Sequence, residues 1–159
     1  MYQKLLGAVK KRAQIGSFEL AGLAMGGAWI AERLSKDLGF SHYGVINVAF
    51  HRDDYAEKGL AAMRSADSMA THLPFEVNGA HIVLIDDVIN SGKTLMHVSQ
   101  FLCAQDPARL SVAVLINREH RLFPISANVV GLTLSTNFKE HVQVEKVKEG
   151  FEVYLMSNK

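Results

Sequence analysis

The sequence predicts an α/β protein built on a mostly parallel central sheet flanked by helices. Three observations carry that expectation. Two continuous apolar runs rich in β-branched residues, His81 to Ile85 and Leu110 to Asn117, stand on either side of a helical pattern. A shorter apolar run, Phe18 to Ala24, is followed directly by a second helical pattern. Strand and helix therefore alternate along the chain, the order that gives a parallel sheet with crossover helices. Strands apolar on both sides belong where helices cover both faces of the sheet. The 159 residues are 48% hydrophobic with only 3 Pro and 12 Gly, which describes an ordered chain long enough to close a core. One domain over residues 1–159 is expected.

Each element has its own local reason. Tyr2 to Ala13 sets Leu5, Leu6, Val9 and Ala13 at helical spacing with lysines opposite, and Gly16-Ser17 stops that helix. Phe18 to Ala24 is the first strand. After Gly26-Gly27, the amphipathic stretch from Ala28 to Leu38 is a helix closed by Gly39. Tyr43 to Phe50 reads as the second strand. Residues 51–71, HRDDYAEKGLAAMRSADSMAT, are polar and lack a strand period; a segment that long inside a compact domain is functional or mobile, and 53–71 is expected to be a flexible hood. Leu73 to Gly79 ends in an Asn-Gly turn signal. The strand His81 to Ile85 ends in Asp86-Asp87, and a helix follows from Leu95 to Ala104. Leu110 to Asn117 and Val129 to Leu132 are further strands, and Val142 to Val144 with Phe151 to Leu155 forms a closing hairpin. The chain has no internal repeat and no low-complexity tract.

Composition narrows the function classes. A formal charge of +1 gives no strong general attraction for nucleic acid, although the Lys10-Lys11-Arg12 run leaves an RNA contact open. The lone Cys103 cannot form an intrachain disulfide and fits a reducing, cytoplasmic setting; it is expected to be a packed thiol. No stretch reaches the roughly 18 apolar residues of a membrane span, so no membrane association is expected. The 7 His include no H-x-x-x-H pair, and no metal held by a dedicated protein ligand set is expected. Trp29 is expected in the core or at a subunit interface.

The chemistry is expected at Asp86-Asp87. In a parallel α/β sheet, ligands bind beyond the carboxyl ends of the strands. Two adjacent carboxylates there suit hydrogen bonds to vicinal hydroxyls, or indirect contact with a divalent ion, better than packing. The loop Asn90-Ser91-Gly92-Lys93-Thr94 comes next and opens a helix, whose N-terminus offers unpaired N–H donors. Gly92 allows a tight turn, and Ser91 and Thr94 add hydroxyls. The G-x-x-x-x-G-K spacing of a P-loop is absent. A diol-binding pair beside a cradle for one phosphate describes a phosphorylated ribose.

The run Ile82-Val83-Leu84-Ile85-Asp86-Asp87-Val88-Ile89-Asn90-Ser91-Gly92-Lys93-Thr94 closely resembles the phosphoribosyl pyrophosphate signature of the type I phosphoribosyltransferases. The resemblance extends to the pyrimidine-operon attenuation regulator and uracil phosphoribosyltransferase family (PyrR). Phe50-His51-Arg52-Asp53-Asp54, Leu73-Pro74-Phe75-Glu76-Val77, Ala113 to Arg118 and Leu122-Phe123-Pro124-Ile125 match it in order and spacing, from about Gly22 to Val144.

The resemblance implies a type I phosphoribosyltransferase-like fold with a flexible hood, and a role for each matching residue. Asp86 and Asp87 would hold the ribose hydroxyls, Asn90 to Thr94 (Asn90, Ser91, Gly92, Lys93, Thr94) the 5′-phosphate, and Val88 and Ile89 would belong to the same substrate-binding run. Met25-Gly26-Gly27 would be the pyrophosphate loop, and Arg52 would neutralise pyrophosphate beside the hood. Arg118 and Val142 would lie near the nucleotide. Mg²⁺ would bridge pyrophosphate and ribose oxygens, held mainly by ligand and water.

The chain departs from the family pattern at four places. Met25 stands where a hydroxyl residue is usual and Gly26 where Arg is common. Asn117 replaces a preferred Asp, and Glu119 a preferred Gly. The function implied is transfer of phosphoribose from phosphoribosyl pyrophosphate to uracil, giving uridine monophosphate (UMP). A pyrimidine-regulatory role with RNA as partner, or salvage of a purine base, stand as alternatives. A homodimer or higher oligomer is the default expectation.

Overall fold

A computed structural model describes residues 1–48, 71–137 and 139–157. Its first helix, α1 (Tyr2–Ala13), buries Leu5 and Val9, one helical turn apart, and ends in Lys10, Lys11 and Arg12. Three cations in the last turn face the negative end of the helix dipole, where cations are favoured. Then come β1 (Glu19–Leu23), α2 (Gly26–Leu38) and β2 (Gly44–Ile46). Gly39 closes α2 in the left-handed region at φ 74°. Phe40 N–H reaches back to the Ser35 carbonyl at 2.9 Å, so glycine at that position satisfies carbonyls the helix would otherwise leave open.

The remaining elements are β3 (His81–Ile89), α3 (Lys93–Cys103), β4 (Arg109–Arg118), β5 (Val129–Leu134), β6 (Glu140–Val147) and β7 (Gly150–Ser157). Among the described residues, five strands form one sheet in the order β2-β1-β3-β4-β5, every pair parallel. The expected α/β architecture with a parallel sheet is what the chain adopts. The last two strands pair antiparallel as a hairpin, Val142 opposite Leu155 and Val144 opposite Val153.

Alternation along β3 explains both faces of the sheet. Val83 and Ile85 join Leu20, Ala113 and Leu115 under Leu5 and Val9 of α1 and Ile30 and Leu34 of α2. Ile82 and Leu84 point the other way, with Ala21, Leu23, Val112 and Val114, against Leu95, Val98 and Leu102 of α3. Residues 82–85 are fully buried, and each large aliphatic side chain so buried contributes about 1.5–3 kcal/mol relative to leaving it in water. The hairpin is tied to α2 by Glu32, which takes Lys36 Nζ and Lys146 Nζ, each at 2.8 Å.

Some boundaries differ from expectation. β3 does not stop at Ile85: β4 supplies ladder partners out to Ile89, opposite Asn117, so the two aspartates lie within the strand. α3 starts at Lys93, because Gly92 turns the chain at φ 88° and its carbonyl accepts the first helical bond, from Met96 N–H at 2.9 Å. α2 starts at Gly26 rather than Ala28. Cys103 is not packed but exposed; α3 faces the core through Leu95, Val98 and Leu102, and the next residue along rotates about 100° out of that stripe. Trp29 is half-buried. Residues 49–70, with Arg52, Met63, Met69 and nearly all of the expected hood, lie outside the described residues. Thr71 closes that interval, and its Oγ1 accepts Asn47 N–H at 2.9 Å.

Candidate active site

Two segments far apart in sequence meet at the carboxyl ends of β1 and β3. β1 pairs directly with β3, Gly22 opposite Ile85, so the turn after β1 arrives beside Asp86 and Asp87. Met25 is 44% exposed at the mouth of this turn, and the Ala24–Met25 peptide is cis. Gly26 rests on Asp87: a Cβ there would stand 2.1 Å from the carboxylate Oδ2 and 2.4 Å from Cγ. A side chain there would force the turn or the Asp87 carboxylate to shift. The close approach accounts for glycine here, where the resembling family often carries Arg.

The two carboxylates are half-buried and tied to the backbone. Asp86 Oδ1 accepts Asp87 N–H at 2.9 Å, and Asp87 Oδ1 accepts Val88 N–H at 2.8 Å. Such bonds fix carboxylate orientation and offset the cost of removing charge from water. Beyond them the chain turns through Asn90, Ser91 and Gly92 into α3. Ser91 Oγ accepts Lys93 N–H at 3.2 Å. Asp86, Val88, Ile89, Asn90, Ser91, Gly92, Thr94 and Leu95 line a small concavity of about 60 Å³ at the α3 N-terminus. Helix dipole, N–H donors and the Thr94 hydroxyl together make that concavity suited to an anion.

A second loop braces the first. Residues 119–123 follow β4 and lie behind the 89–92 turn. Leu122 N–H and Phe123 N–H both donate to the Ser91 carbonyl at 3.0 Å. Arg121 Nη1 donates to the carbonyls of Ile89 at 3.3 Å, of Arg118 at 2.7 Å, and of Asn90. Its Nη2 donates to Asn117 Oδ1. Burial pulls the Arg121 guanidinium below its usual range. Sequence reasoning missed this residue. The signal available was a cation four positions after Asn117, on the loop that leaves a strand neighbouring the 90–92 turn.

Arg118 is only 4% exposed. Its Nε donates to Thr136 Oγ1 at 2.8 Å and its Nη2 to the Asn137 carbonyl at 3.1 Å, so these donors hold the 135–137 segment. Glu119 accepts Ser135 O–H at 2.5 Å, and the His120 ring pairs with the Thr136 carbonyl. The departures at Asn117 and Glu119 therefore carry local bonds. Val142 packs with Val88 and Leu134 against the α1 and α2 side of the core. The structure thus brings Met25, Gly26 and Gly27 to Asp86 and Asp87, and keeps Val88 to Thr94 contiguous with them; Arg52 lies outside the described residues.

The family described as Phosphoribosyl transferase domain matches residues 8–149. The chain is 38% identical over 154 residues to a protein of Ralstonia nicotianae named Bifunctional protein PyrR, covering 94% of this chain and 86% of that one. It is 35% identical over 144 residues to the Pseudomonas entomophila protein of the same name, covering 86% and 81%. Among solved structures, a purine phosphoribosyltransferase from Pyrococcus horikoshii Ot3 superposes with a TM-score of 0.62 at 20% identity, over 84% of this chain and 81% of that one. A hypoxanthine-guanine phosphoribosyltransferase from Bacillus anthracis gives 0.62 at 17% identity, over 86% and 78%. At such identities the structural likeness shows the fold alone.

Proposed function

The chain belongs to the phosphoribosyltransferase family, and from that premise we propose that it transfers phosphoribose from phosphoribosyl pyrophosphate to uracil, releasing pyrophosphate and forming UMP. The observation that carries the proposal is one contiguous surface at the end of β3. There the Gly26 turn touches Asp87 and the Asn90–Thr94 loop opens α3 beside it. That arrangement supports reading the aspartates as the diol partner, the 90–94 loop as the cradle of the 5′-phosphate and the 25–27 turn as the pyrophosphate side.

Asp86 and Asp87 would hold the ribose hydroxyls, and the α3 N-terminus with Ser91 and Thr94 the 5′-phosphate. Backbone N–H groups of the 25–27 turn, with Arg52, would stabilise charge growing on the departing pyrophosphate. Among the described residues no three His, Cys, Asp or Glu side chains converge as a metal cage. The donor set fits Mg²⁺ held chiefly by ligand oxygens and water, with the two aspartates nearby. When bound, the ion would neutralise pyrophosphate charge. Exclusion of water matters, because water would hydrolyse the activated sugar.

The relatives are called bifunctional, and that supports a second role for this chain as a pyrimidine regulator with RNA as partner, entered through the Lys10, Lys11 and Arg12 turn of α1. The exposed Cys103 thiol supports a cytoplasmic setting. The deciding experiment offers uracil, hypoxanthine and guanine in parallel with phosphoribosyl pyrophosphate and Mg²⁺. Turnover with uracil alone is expected. Turnover confined to a purine base would replace uracil as the acceptor, and no turnover with any base would sink the enzymatic reading.

A further inference from the structure

We infer that Arg121 is a positioning residue for the phosphate loop, acting both as a strut and as a source of uncompensated positive charge; the inference rests on the phosphoribosyl reading of that site. The strut is visible in the contacts. One guanidinium reaches the carbonyls of Ile89, Asn90 and Arg118 and the side chain of Asn117, joining the end of β3 to the end of β4. Its stem lies directly under the turn: Arg121 Cδ is 3.7 Å from where a Cβ on Gly92 would stand. Two further bonds, from Leu122 and Phe123 N–H to the Ser91 carbonyl at 3.0 Å, close the same seam.

The turn needs such support. Residues 90–92 leave the sheet with no strand partner, and Gly92 adopts φ 88°, a region whose freedom costs entropy to fix. An anion cradle works only if its N–H groups are held in place before the ligand arrives. A planar guanidinium with five donors in a fixed fork can grip several carbonyls at once, which a lysine ammonium on a flexible stem cannot.

The charge follows from the partners. All four oxygens bound by Arg121 are neutral, and no ion pair to Asp or Glu forms at this guanidinium among the described residues. A positive charge thus sits behind the 89–92 turn, where it would attract a dianionic 5′-phosphate held in front of that turn. Asn117 preserves that charge. Aspartate at 117 would accept the same Nη2 bond while cancelling it, which gives this departure from the family pattern a specific consequence.

The test compares the full-length wild type with Arg121→Lys, Arg121→Met and Asn117→Asp. Amide exchange over residues 90–94 is read in the ligand-free protein against residues 82–85, and calorimetry reads UMP against uridine, which lacks the phosphate. Arg121→Met should speed exchange at 90–94 while leaving 82–85 unchanged, and should lower UMP affinity by about tenfold or more through the lost charge and the loosened loop. Uridine should be spared. Arg121→Lys should fall between, with methylguanidinium restoring part of the loss in Arg121→Met. Asn117→Asp should keep slow exchange yet weaken UMP. Unchanged exchange at 90–94 in both Arg121 variants would overturn the strut, and an unchanged UMP-to-uridine ratio in Asn117→Asp would overturn the charge. Should Arg121→Met fail to fold, Arg121→Lys and Asn117→Asp still decide both. A wild type blind to UMP would instead count against the phosphoribosyl reading, while exchange would still judge the strut.

Discussion

Gly26→Ala is the sharpest single perturbation of the site. The new methyl would sit 2.1 Å from Asp87 Oδ2, 2.4 Å from Cγ and 2.8 Å from Cβ, less than any real carbon contact. Either the 25–27 turn lifts or the Asp87 side chain swings away. Overpacking of this kind costs about 1–3 kcal/mol. Swinging the carboxylate also breaks its 2.8 Å bond from Val88 N–H, worth about 1.5–3 kcal/mol for a charged acceptor. The two routes are alternatives, so the smaller cost sets the outcome. A displacement of about 1–3 kcal/mol in the binding-competent geometry translates to roughly five- to 150-fold weaker binding of phosphoribosyl pyrophosphate. Calorimetry with Mg²⁺ present measures it. Gly7→Ala is the matched control, because a Cβ at that helical position meets nothing within 4 Å and should stabilise α1 by about 0.5–1 kcal/mol. If Gly26→Ala binds the ligand as tightly as the control does, the contact between the turn and Asp87 has no part in the site.

Asp87→Asn should keep the fold, since the amide oxygen can still accept Val88 N–H, yet severely weaken phosphoribosyl pyrophosphate; circular dichroism and calorimetry on one sample separate the two, and unchanged affinity would remove Asp87 from the ribose. Thr94→Ala should weaken UMP by about ten- to a hundredfold, one hydrogen bond to a charged group, while sparing uracil; equal loss for both would mean a collapsed loop. Glu32 supplies a pH prediction. The bonds from Lys146 and then Lys36 hold its carboxyl down at about 2, against an ordinary 4.5. A depressed carboxylate stabilises fully above the unfolded value and loses that contribution as pH falls from about 4.5 toward 2. The pair is solvent-accessible, so the effect is small, about 0–1 kcal/mol. Wild type and Glu32→Gln should therefore differ in melting temperature at pH 6 and converge near pH 2; a constant gap would contradict the assignment.

The parts of the fold legible in sequence were those decided by local pattern. α1 is legible over Tyr2–Ala13 because Leu5, Leu6 and Val9 sit at helical spacing and a Gly-Ser pair follows at 16–17. Gly39 marked the end of α2 because a left-handed cap is a one-residue requirement. The ends of β3 and α3 were not legible in the same way. Asp86 and Asp87 look like strand breakers until β4 supplies partners as far as Ile89. The contiguity of Asp86 to Thr94 at the end of β3 is legible because one run carries two carboxylates, a turn and a helix start together. Arg121 was not, because its bonds to Ile89 and Asn90 cross 32 and 31 residues and depend on two loops meeting. Neither was the exposure of Cys103, which the rotation of α3 about its axis decides.

The pairing of β1 with β3 has a consequence for biosynthesis. Ala21 lies against Leu84, so roughly sixty residues of chain must be made after the Gly26 turn before its seat on Asp87 exists. Contacts of such long sequence separation form late and slowly, since the intervening loop must be closed before any reward arrives. On a ribosome adding about 5–20 residues per second, the glycine turn waits several seconds without its aspartate. During that interval β1 has only β2 for a neighbour and one bare edge, the arrangement that invites pairing with the wrong chain. The same adjacency that brings both halves of the site together thus leaves one edge of β1 unpaired until β3 has been made.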